Sequence, residues 1–315
     1  MKRAIPILAI GLLLPHPALS ATIRVPDEWQ TISLAIGAAQ NGDTVLVGPG
    51  IYHEFPGIYI IGKAVHVRSE GGAEVTTIEN YPEPPTPDSG SFAFDIRSTP
   101  GPCTIEGFTM SHHVAGDMGM NGFTIYVQNA IVRIAHNRFV SNSYFHVIQI
   151  ESSPSVEIEN NLFYDNNATA ISAWQASDLA IRSNTFSNPD KWQIYARTIN
   201  GHLTISRNVI VDGARGIVTS CPVENITCTC NDVWNNDINY DGTLGDQTGT
   251  DGNISANPLF CGIIHTGNFY LQAVSPCAGA NVPAPCGSTG MGAYPAACTV
   301  GVEKSSWGGL KRIYR

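Results

Sequence analysis

Charged side chains are scarce in this 315-residue chain: they make up 14% of the sequence, against about 25% in an average soluble domain. This scarcity argues against a fold built from long solvent-exposed helices, whose outer faces are rich in charge. Positive charge is scarcer still, with 17 Lys and Arg residues against 26 Asp and Glu residues and a net charge of −9. We therefore expect no nucleic-acid partner, because such proteins rely on a basic surface.

Long hydrophobic runs are absent, apart from a short one at the amino terminus. Lys2 and Arg3 precede an apolar run at 4–14, which is far shorter than the ~20 residues that span a membrane. Basic residues, a short apolar run and small residues up to Ser20 are typical of a secretory signal peptide. We predict a signal peptide at 1–20, no transmembrane segment, and a secreted or cell-surface protein in an extracellular or periplasmic compartment.

Paired C-x-x-C motifs are also absent, which argues against a structural zinc site. Of the eight cysteines, seven follow position 220, and an exported protein meets an oxidising environment. Cys228 occupies the repeat position that Ile134 and Ile158 occupy in other repeats, where an inward-facing strand residue is expected. We predict disulfides or core packing for these cysteines, and no metal.

Two polar segments contain metal-ligand types at spacings that match no established motif. The first set is Asp237, Asp241, Asp246 and Asp251; the second set is His112, His113 and Asp117. Carboxylate oxygens suit Ca²⁺, but we interpret both segments as ordinary polar loops. No cofactor is assured, and calcium is the one alternative that we leave open.

The chain does contain a regular repeat around an asparagine. The repeats read IAHNRF, IENNLF, IRSNTF, ISRNVI and CTCNDV, and their Asn residues follow one another at steps of 24, 23, 24 and 23. They are Asn137, Asn161, Asn184, Asn208 and Asn231. A fixed period in this range indicates a solenoid, and the period-two alternation around it indicates short strands. We predict a buried Asn ladder, with amides one coil apart at roughly 4.8 Å.

A leucine-rich repeat is the rival interpretation, because its period of 20–29 residues and its asparagine-containing core are similar. Its return segment is helical, whereas the returns here (HVIQIES, GIVTSC) are short and β-branched. With the opening segment at 23–54 (IRVPDEWQTISLAIGAAQNGDTVLVGPGIYHE), the repeats resemble right-handed parallel β-helix proteins of the pectin-lyase-like superfamily. The resemblance covers nearly all of the mature chain. It implies an all-β, single-stranded right-handed parallel β-helix of three short parallel sheets, and often a polysaccharide ligand.

The sequence pattern and this resemblance together give a domain layout for the chain. We expect the β-helix at 21–260, a capping helix within 29–40, and a loop leaving the coil at 81–90. A Cys-containing C-terminal cap should follow at 261–298, and a basic tail at 299–315. The continuous repeat register leaves no linker, so we expect one domain. We also expect a monomer.

Proteins of this superfamily usually bind their ligand along one sheet, and we expect the outward residues of the strands around Ile125, Ile148, Ile171 and Ile194 to bind it here. Aromatic rings stack on sugar faces, and polar groups bind sugar hydroxyls and carboxylates. The expected binding residues are Tyr126, Gln149, Glu151, Trp174, Trp192, Asp95 and Arg97. The other outward residues of these strands are Gln128, Ser172, Tyr195 and Arg197.

Catalysis on this face has two possible chemistries. A uronate lyase needs a base, an acid and a cation that neutralises the substrate carboxylate; Arg197, Lys191, Tyr195 and His146 are the right types. A glycosidase needs two carboxylates, for which Asp95 and Glu151 are the evident pair. The residue patterns of pectate lyases, polygalacturonases and pectin methylesterases are absent, so we leave catalysis undecided, with a lyase ahead of a hydrolase.

We therefore expect a secreted protein that binds an extracellular acidic polysaccharide and, if it is an enzyme, cleaves it. The alternative is a non-catalytic structural or adhesive protein of the cell surface.

Overall fold

A computed structural model describes residues 20–79, 92–113, 122–262 and 267–298. Most of the predicted signal peptide, the predicted loop at 81–90, Asp117 and the basic tail lie outside the described residues. The described chain winds through three parallel sheets, to which successive strands contribute in turn. The predicted all-β parallel β-helix is confirmed.

The strands are numbered in chain order and grouped here by sheet. Sheet 1 contains β1 (Thr22–Val25), β2 (Thr44–Val47), β5 (His66–Ser69), β8 (Pro102–Glu106), β11 (Ile131–Ala135), β14 (Ser155–Glu159), β17 (Asp178–Arg182), β20 (Leu203–Ser206) and β23 (Ile226–Thr229). Sheet 2 contains β4 (Ile58–Ile61), β7 (Phe94–Arg97), β10 (Phe123–Gln128), β13 (His146–Glu151), β16 (Thr169–Trp174), β19 (Trp192–Arg197), β22 (Arg215–Thr219) and β25 (Ile238–Gly242). Sheet 3 contains β3 (Gly50–His53), β6 (Thr76–Glu79), β9 (Thr109–Ser111), β12 (Arg138–Val140), β15 (Leu162–Tyr164), β18 (Thr185–Ser187), β21 (Val209–Val211) and β24 (Asp232–Trp234).

Like residues stack on like residues along the axis, because each coil repeats the last. In β14, Val156 and Ile158 face the core while Glu157 between them is exposed, as the period of a strand requires. Phe139, Phe163 and Phe186 form a stacked column with ring centroids 4.7 Å apart. The core is therefore one continuous apolar column inside the coils.

The repeated asparagines turn the chain from sheet 1 into sheet 3. The residue before each has a left-handed backbone with φ between 53° and 58°: His136, Asn160, Ser183, Arg207 and Cys230. From Asn161 onward, each Asn side-chain oxygen accepts the backbone N–H and the amide of the Asn one coil earlier, as Asn161 does from Asn137 at 2.9 and 3.2 Å. Asn253 adds a rung after Asn231 that the repeat did not predict.

A second asparagine ladder turns the chain from sheet 3 into sheet 2. Asn142 donates its amide to Asn166, and Asn166 donates to Asn188, both at 2.9 Å. Gln193 completes this row by accepting from Asn188 at 2.7 Å. Buried amides thus fix two of the corners of each central coil, and only the first of these ladders was predicted.

The amino-terminal end of the solenoid is covered by the helix α1 (Ile32–Ala38), within the predicted segment 29–40. The carboxylate of Glu54 accepts the N–H groups of Ile32 and Ser33 at the start of the helix. The ammonium of Lys63 donates to the carbonyls of Ile36, Gly37 and Ala39 at its end. These charges match the polarity of the helix ends.

The Cys-containing C-terminal segment lies along sheet 3, a position that the sequence did not predict. We call residues 257–262 and 267–298 the strap; it includes β26 (Leu271–Gln272) and β27 (Ala296–Cys298). Its Phe269 packs on Tyr164, and its Ala293 N–H donates to Thr185. Outward residues of sheet 3 are buried beneath the strap: Thr185, Ser187, Val209, Val211 and Asp232. Apolar outward positions on this sheet explain why the strap docks there.

Two disulfides hold the strap, and both involve cysteines after position 220. Cys230–Cys286 joins the strap to a coil, and Cys261–Cys298 closes the strap on itself. The thiols of Cys103, Cys221, Cys228 and Cys277 are free and buried. Cys228 pairs in register with Ile205 and faces the core, as its repeat position indicated.

Candidate functional site

The three sheets differ in what their outward faces offer. On sheet 1, cations are paired: Arg133 contacts Glu106 at 3.2 Å and Glu159 at 2.6 Å. Sheet 3 is covered by the strap along its C-terminal half. Sheet 2 combines exposed aromatic rings with a cation that has no acidic partner in the described part of the chain, and its outward face is therefore the candidate site.

Strand pairing places the sequence-predicted residues of sheet 2 in two adjacent outward columns. The first column runs Asp95, Tyr126, Gln149, Ser172 and Tyr195, and the second runs Arg97, Gln128, Glu151, Trp174 and Arg197. Both columns continue onto β4 as Tyr59 and Ile61, which the sequence reasoning missed. The interruption of the repeat before residue 92 hid them, because the asparagine anchor does not extend that far.

Arg197 lies on an aromatic cluster at the C-terminal half of the face. Its guanidinium is 5.4 Å from the ring centroid of Trp174 and 5.1 Å from that of Tyr195. Trp192 packs edge-on against Tyr195 at 5.0 Å, and Arg215 lies 5.1 Å above Trp192. Trp174 is 47% exposed, so much of its ring is open to a ligand. Cation–π contacts hold the Arg197 guanidinium against these two rings.

The cations of this face differ in how far their charge is compensated. Arg97 pairs with Asp95, and Arg215 pairs with Asp241. Within the described chain, Arg197 and Lys191 form no ion pair. Excess positive charge is therefore concentrated at β19 and at the residue before it.

Tyr126 is held in a hydrogen-bonded network rather than presented to solvent. Its hydroxyl donates to Glu151 at 2.7 Å, Arg97 covers its ring at 4.8 Å, and it is only 8% exposed. Burial and the neighbouring Glu151 carboxylate raise the pKa of Tyr126. The ring of Tyr126 therefore offers little open surface, because long side chains of neighbouring coils cover it.

The two carboxylates proposed for a glycosidase have different environments. Asp95 is 3% exposed, and both of its oxygens accept from Arg97, at 2.6 and 2.7 Å. Glu151 accepts from Tyr126 and, at 2.6 Å, from the Gln149 amide. Asp95 is thus committed to Arg97, which argues against a hydrolytic pair and makes Asp95 a support for Arg97 rather than a ligand contact.

The four candidate lyase residues do not form one cluster. Tyr195 and Arg197 lie on β19 and Lys191 precedes it, whereas His146 lies on β13, two strands away. Burial lowers the pKa of His146, against the opposing effect of Glu151, so its imidazole is neutral at pH 7. Its Nδ1 is buried and has no hydrogen-bond partner in the described structure, and the same is true of the Gln149 side-chain oxygen.

Other candidate sites on the described surface have fewer of the features of a ligand-binding site. A shallow depression of about 200 Å³ lies on sheet 1 around Ala180, where Glu157 and Arg182 are 3.8 Å apart. Among the described residues, no three His, Cys, Asp or Glu side chains form a metal-binding group. Of the residues kept open for calcium, Asp241 pairs with Arg215, and Asp246 accepts the N–H of Thr248.

The family model of the right-handed β-helix region matches residues 94–268, more than half of the chain. This chain belongs to the right-handed β-helix family. No curated protein matches it significantly. In the described part of this β-helix protein, no helix has the length and apolarity needed to cross a membrane.

Proposed function

We propose that this β-helix protein binds an acidic polysaccharide along the outward face of sheet 2, in an oxidising extracellular or periplasmic compartment. The observation that carries the proposal is Arg197, which has no acidic partner among the described residues and lies over the rings of Trp174 and Tyr195. Aromatic rings stack on the C–H faces of sugars, and a guanidinium binds a carboxylate with two parallel hydrogen bonds.

Two further features support the proposal. Trp192 and Lys191 border the same cluster, so the rings and the excess charge lie together. Two disulfides are typical of proteins outside the reducing cytoplasm. The β-helix supplies the rigidity, because each ring is fixed to a strand paired on both sides.

Binding to a panel of acidic and neutral polysaccharides tests the proposal. Trp174→Ala should weaken binding about five-fold, since a stacked ring contributes on the order of 1 kcal/mol. Trp29, exposed beside α1 at the far end, provides the matched control as Trp29→Ala. Circular dichroism should show that both variants fold. A parent protein that binds no member of the panel would contradict the proposal and favour the structural or adhesive alternative.

The charge is tested separately from the ring. Arg197→Gln should weaken binding to acidic chains at low salt and leave the weaker binding to neutral chains unchanged. Arg182→Gln, on sheet 1, removes a guanidinium from another face, where it lies 3.8 Å from Glu157. Equal effects of the two substitutions would show that only net charge matters, and that Arg197 has no special role.

Uronate elimination is a second candidate function, favoured by the neutral His146 with its unpartnered Nδ1. A neutral imidazole is able to accept a proton at pH 7. Incubation with acidic polysaccharides should then release unsaturated uronates that absorb in the ultraviolet, and His146→Ala should abolish this release. Binding without any rise in absorbance would leave a binding protein.

A further inference from the structure

The amino-terminal half of sheet 2 carries a row of aromatic residues. Of these, only Tyr126, at the end of the row, is among the predicted binding residues. Tyr59 packs edge-on against Phe92 at 5.0 Å, Phe92 lies 5.7 Å from Phe123, and Phe123 stacks on Tyr126 at 5.0 Å. Tyr59 is 47% exposed and its neighbour Ile61 is 57% exposed. The row therefore ends at Tyr59 in a ring that is open to solvent. The ring of Trp174, in the C-terminal half of the same face, is also open to solvent.

Tyr59 and the aromatic cluster around Arg197 are separated by a fixed number of strands. Tyr59 on β4 and Tyr195 on β19 share the first outward column, and β7, β10, β13 and β16 lie between them. Five strand spacings of ~4.8 Å amount to roughly 24 Å. A sugar unit of an extended chain spans about one such spacing, so the face has room for roughly five units.

Charge is distributed unevenly along this length. At β7 the charges of Asp95 and Arg97 cancel. At β13, Glu151 accepts hydrogen bonds with both oxygens, as a carboxylate does, and has no cationic partner among the described residues. At β19, Arg197 supplies uncompensated positive charge. A chain laid on the face meets neutral, negative and positive surface in turn.

We infer that sheet 2 selects a mixed glycan, with an acidic unit at Arg197 and neutral units over Glu151 and the Tyr59 row. The inference rests on the proposed function and refines its substrate class. A homopolymer of uronates would place a carboxylate against Glu151, and like charges repel. Neutral units instead offer hydroxyls to Glu151 and C–H faces to Tyr59.

Calorimetry with three pentamers tests the charge selection: an oligogalacturonate, a neutral β-linked hexose pentamer, and a mixed pentamer of four xylose units and one glucuronate. The mixed oligomer should bind tightest, several-fold ahead of the oligogalacturonate. Glu151→Gln keeps an acceptor for Tyr126 and removes the charge, so it should raise affinity for the oligogalacturonate several-fold and change the mixed oligomer little. An oligogalacturonate that binds the parent as tightly as the mixed oligomer would overturn the selection.

The length of the site is tested with Tyr59→Ala and Tyr270→Ala, the latter an exposed tyrosine on the strap. Tyr59→Ala should weaken binding of the mixed pentamer about five-fold, and leave unchanged the binding of the disaccharide that ends in glucuronate. Tyr270→Ala should change neither. Equal affinities of pentamer and disaccharide for the parent would overturn the long site while leaving the proposed function intact. Failure of every probe to bind would instead contradict the proposed function itself.

Discussion

Asn184 and Asn208 lie one coil apart inside the solenoid, and the side-chain oxygen of Asn208 accepts both the backbone N–H and the amide of Asn184, at 2.9 and 3.1 Å. The Asn184 amide also donates to the Ile158 carbonyl at 2.8 Å. Each rung therefore satisfies backbone groups at a buried corner that have no strand partner.

Asn184→Leu should lower the free energy of unfolding by about 3 kcal/mol. It leaves the Ile158 carbonyl and the backbone N–H of Asn161 without partners in the interior, and unsatisfied buried groups are costly. Thr204→Ala, at an outward position of sheet 1, is the control and should change little. Denaturant titration measures both, and similar midpoints would contradict a stabilising ladder.

Lys63→Met should loosen the amino-terminal helix. The ammonium donates to three carbonyls at 2.7 to 2.9 Å, and the last carbonyls of a helix have no internal partners. We expect a loss of about 1–2 kcal/mol and faster amide exchange confined to α1 and the first coil. Arg24→Met removes an exposed ion pair with Glu70 and should have little effect. Unchanged exchange in α1 would show that the Lys63 contacts contribute nothing.

Asp232→Asn should change the dependence of stability on pH. Burial raises the pKa of Asp232 from 3.8 to about 6, so the folded state holds the proton more tightly and stability falls as pH rises through this window. The substitution removes that fall, which amounts to about 2–3 kcal/mol between pH 4 and pH 7. Unfolding titrations at several pH values measure it.

His113 has the opposite effect in the same titration. Burial lowers its pKa from 6.5 to about 4, so stability rises with pH between these values. In the parent the two effects oppose each other, and in Asp232→Asn the rise due to His113 should stand out. Parallel pH profiles of parent and variant would contradict the burial of Asp232 beneath the strap.

Thiol titration of the denatured, non-reduced protein should find four free thiols, those of Cys103, Cys221, Cys228 and Cys277.

Cys286→Ser should release the strap, because the disulfide of Cys286 with Cys230 closes a loop with a sequence separation of 56. The loss of stability should reach about 4 kcal/mol. A hydrophobic fluorescent dye should bind the variant but not the parent, because apolar positions of sheet 3 are uncovered. Eight free thiols, or a strap as protease-resistant as the parent's, would contradict this arrangement.

The sequence predicted the register of sheet 2 because every central coil has nearly the same length. Counting from one asparagine to the next places Glu151 beside Trp174 and Trp174 beside Arg197 without any structure. The second ladder was missed although its signal is present, since Asn142, Asn166 and Asn188 also recur at steps of 24 and 22.

Other features depend on contacts that no repeat encodes. Tyr126 is buried because Arg97 and Glu151 reach over it from neighbouring coils, and alternation alone reports only the direction of a side chain. The position of the strap follows from irregular contacts such as that of Arg207 with the Cys286 and Thr289 carbonyls. The one feature of the sequence that could have indicated this position is the pair of apolar outward residues Val209 and Val211 on sheet 3.

The strap changes how the solenoid comes apart. A simple stack of coils frays from its ends, because each coil contacts only its neighbours. Here Phe269 rests on Tyr164 while Cys277 hydrogen-bonds Asp232, so one segment bridges β15 to β24. The terminal coil is released only when contacts three coils upstream also break. We therefore expect the C-terminal half to unfold as a single cooperative unit, and to fold late, since the strap has no surface to dock on until those coils are formed.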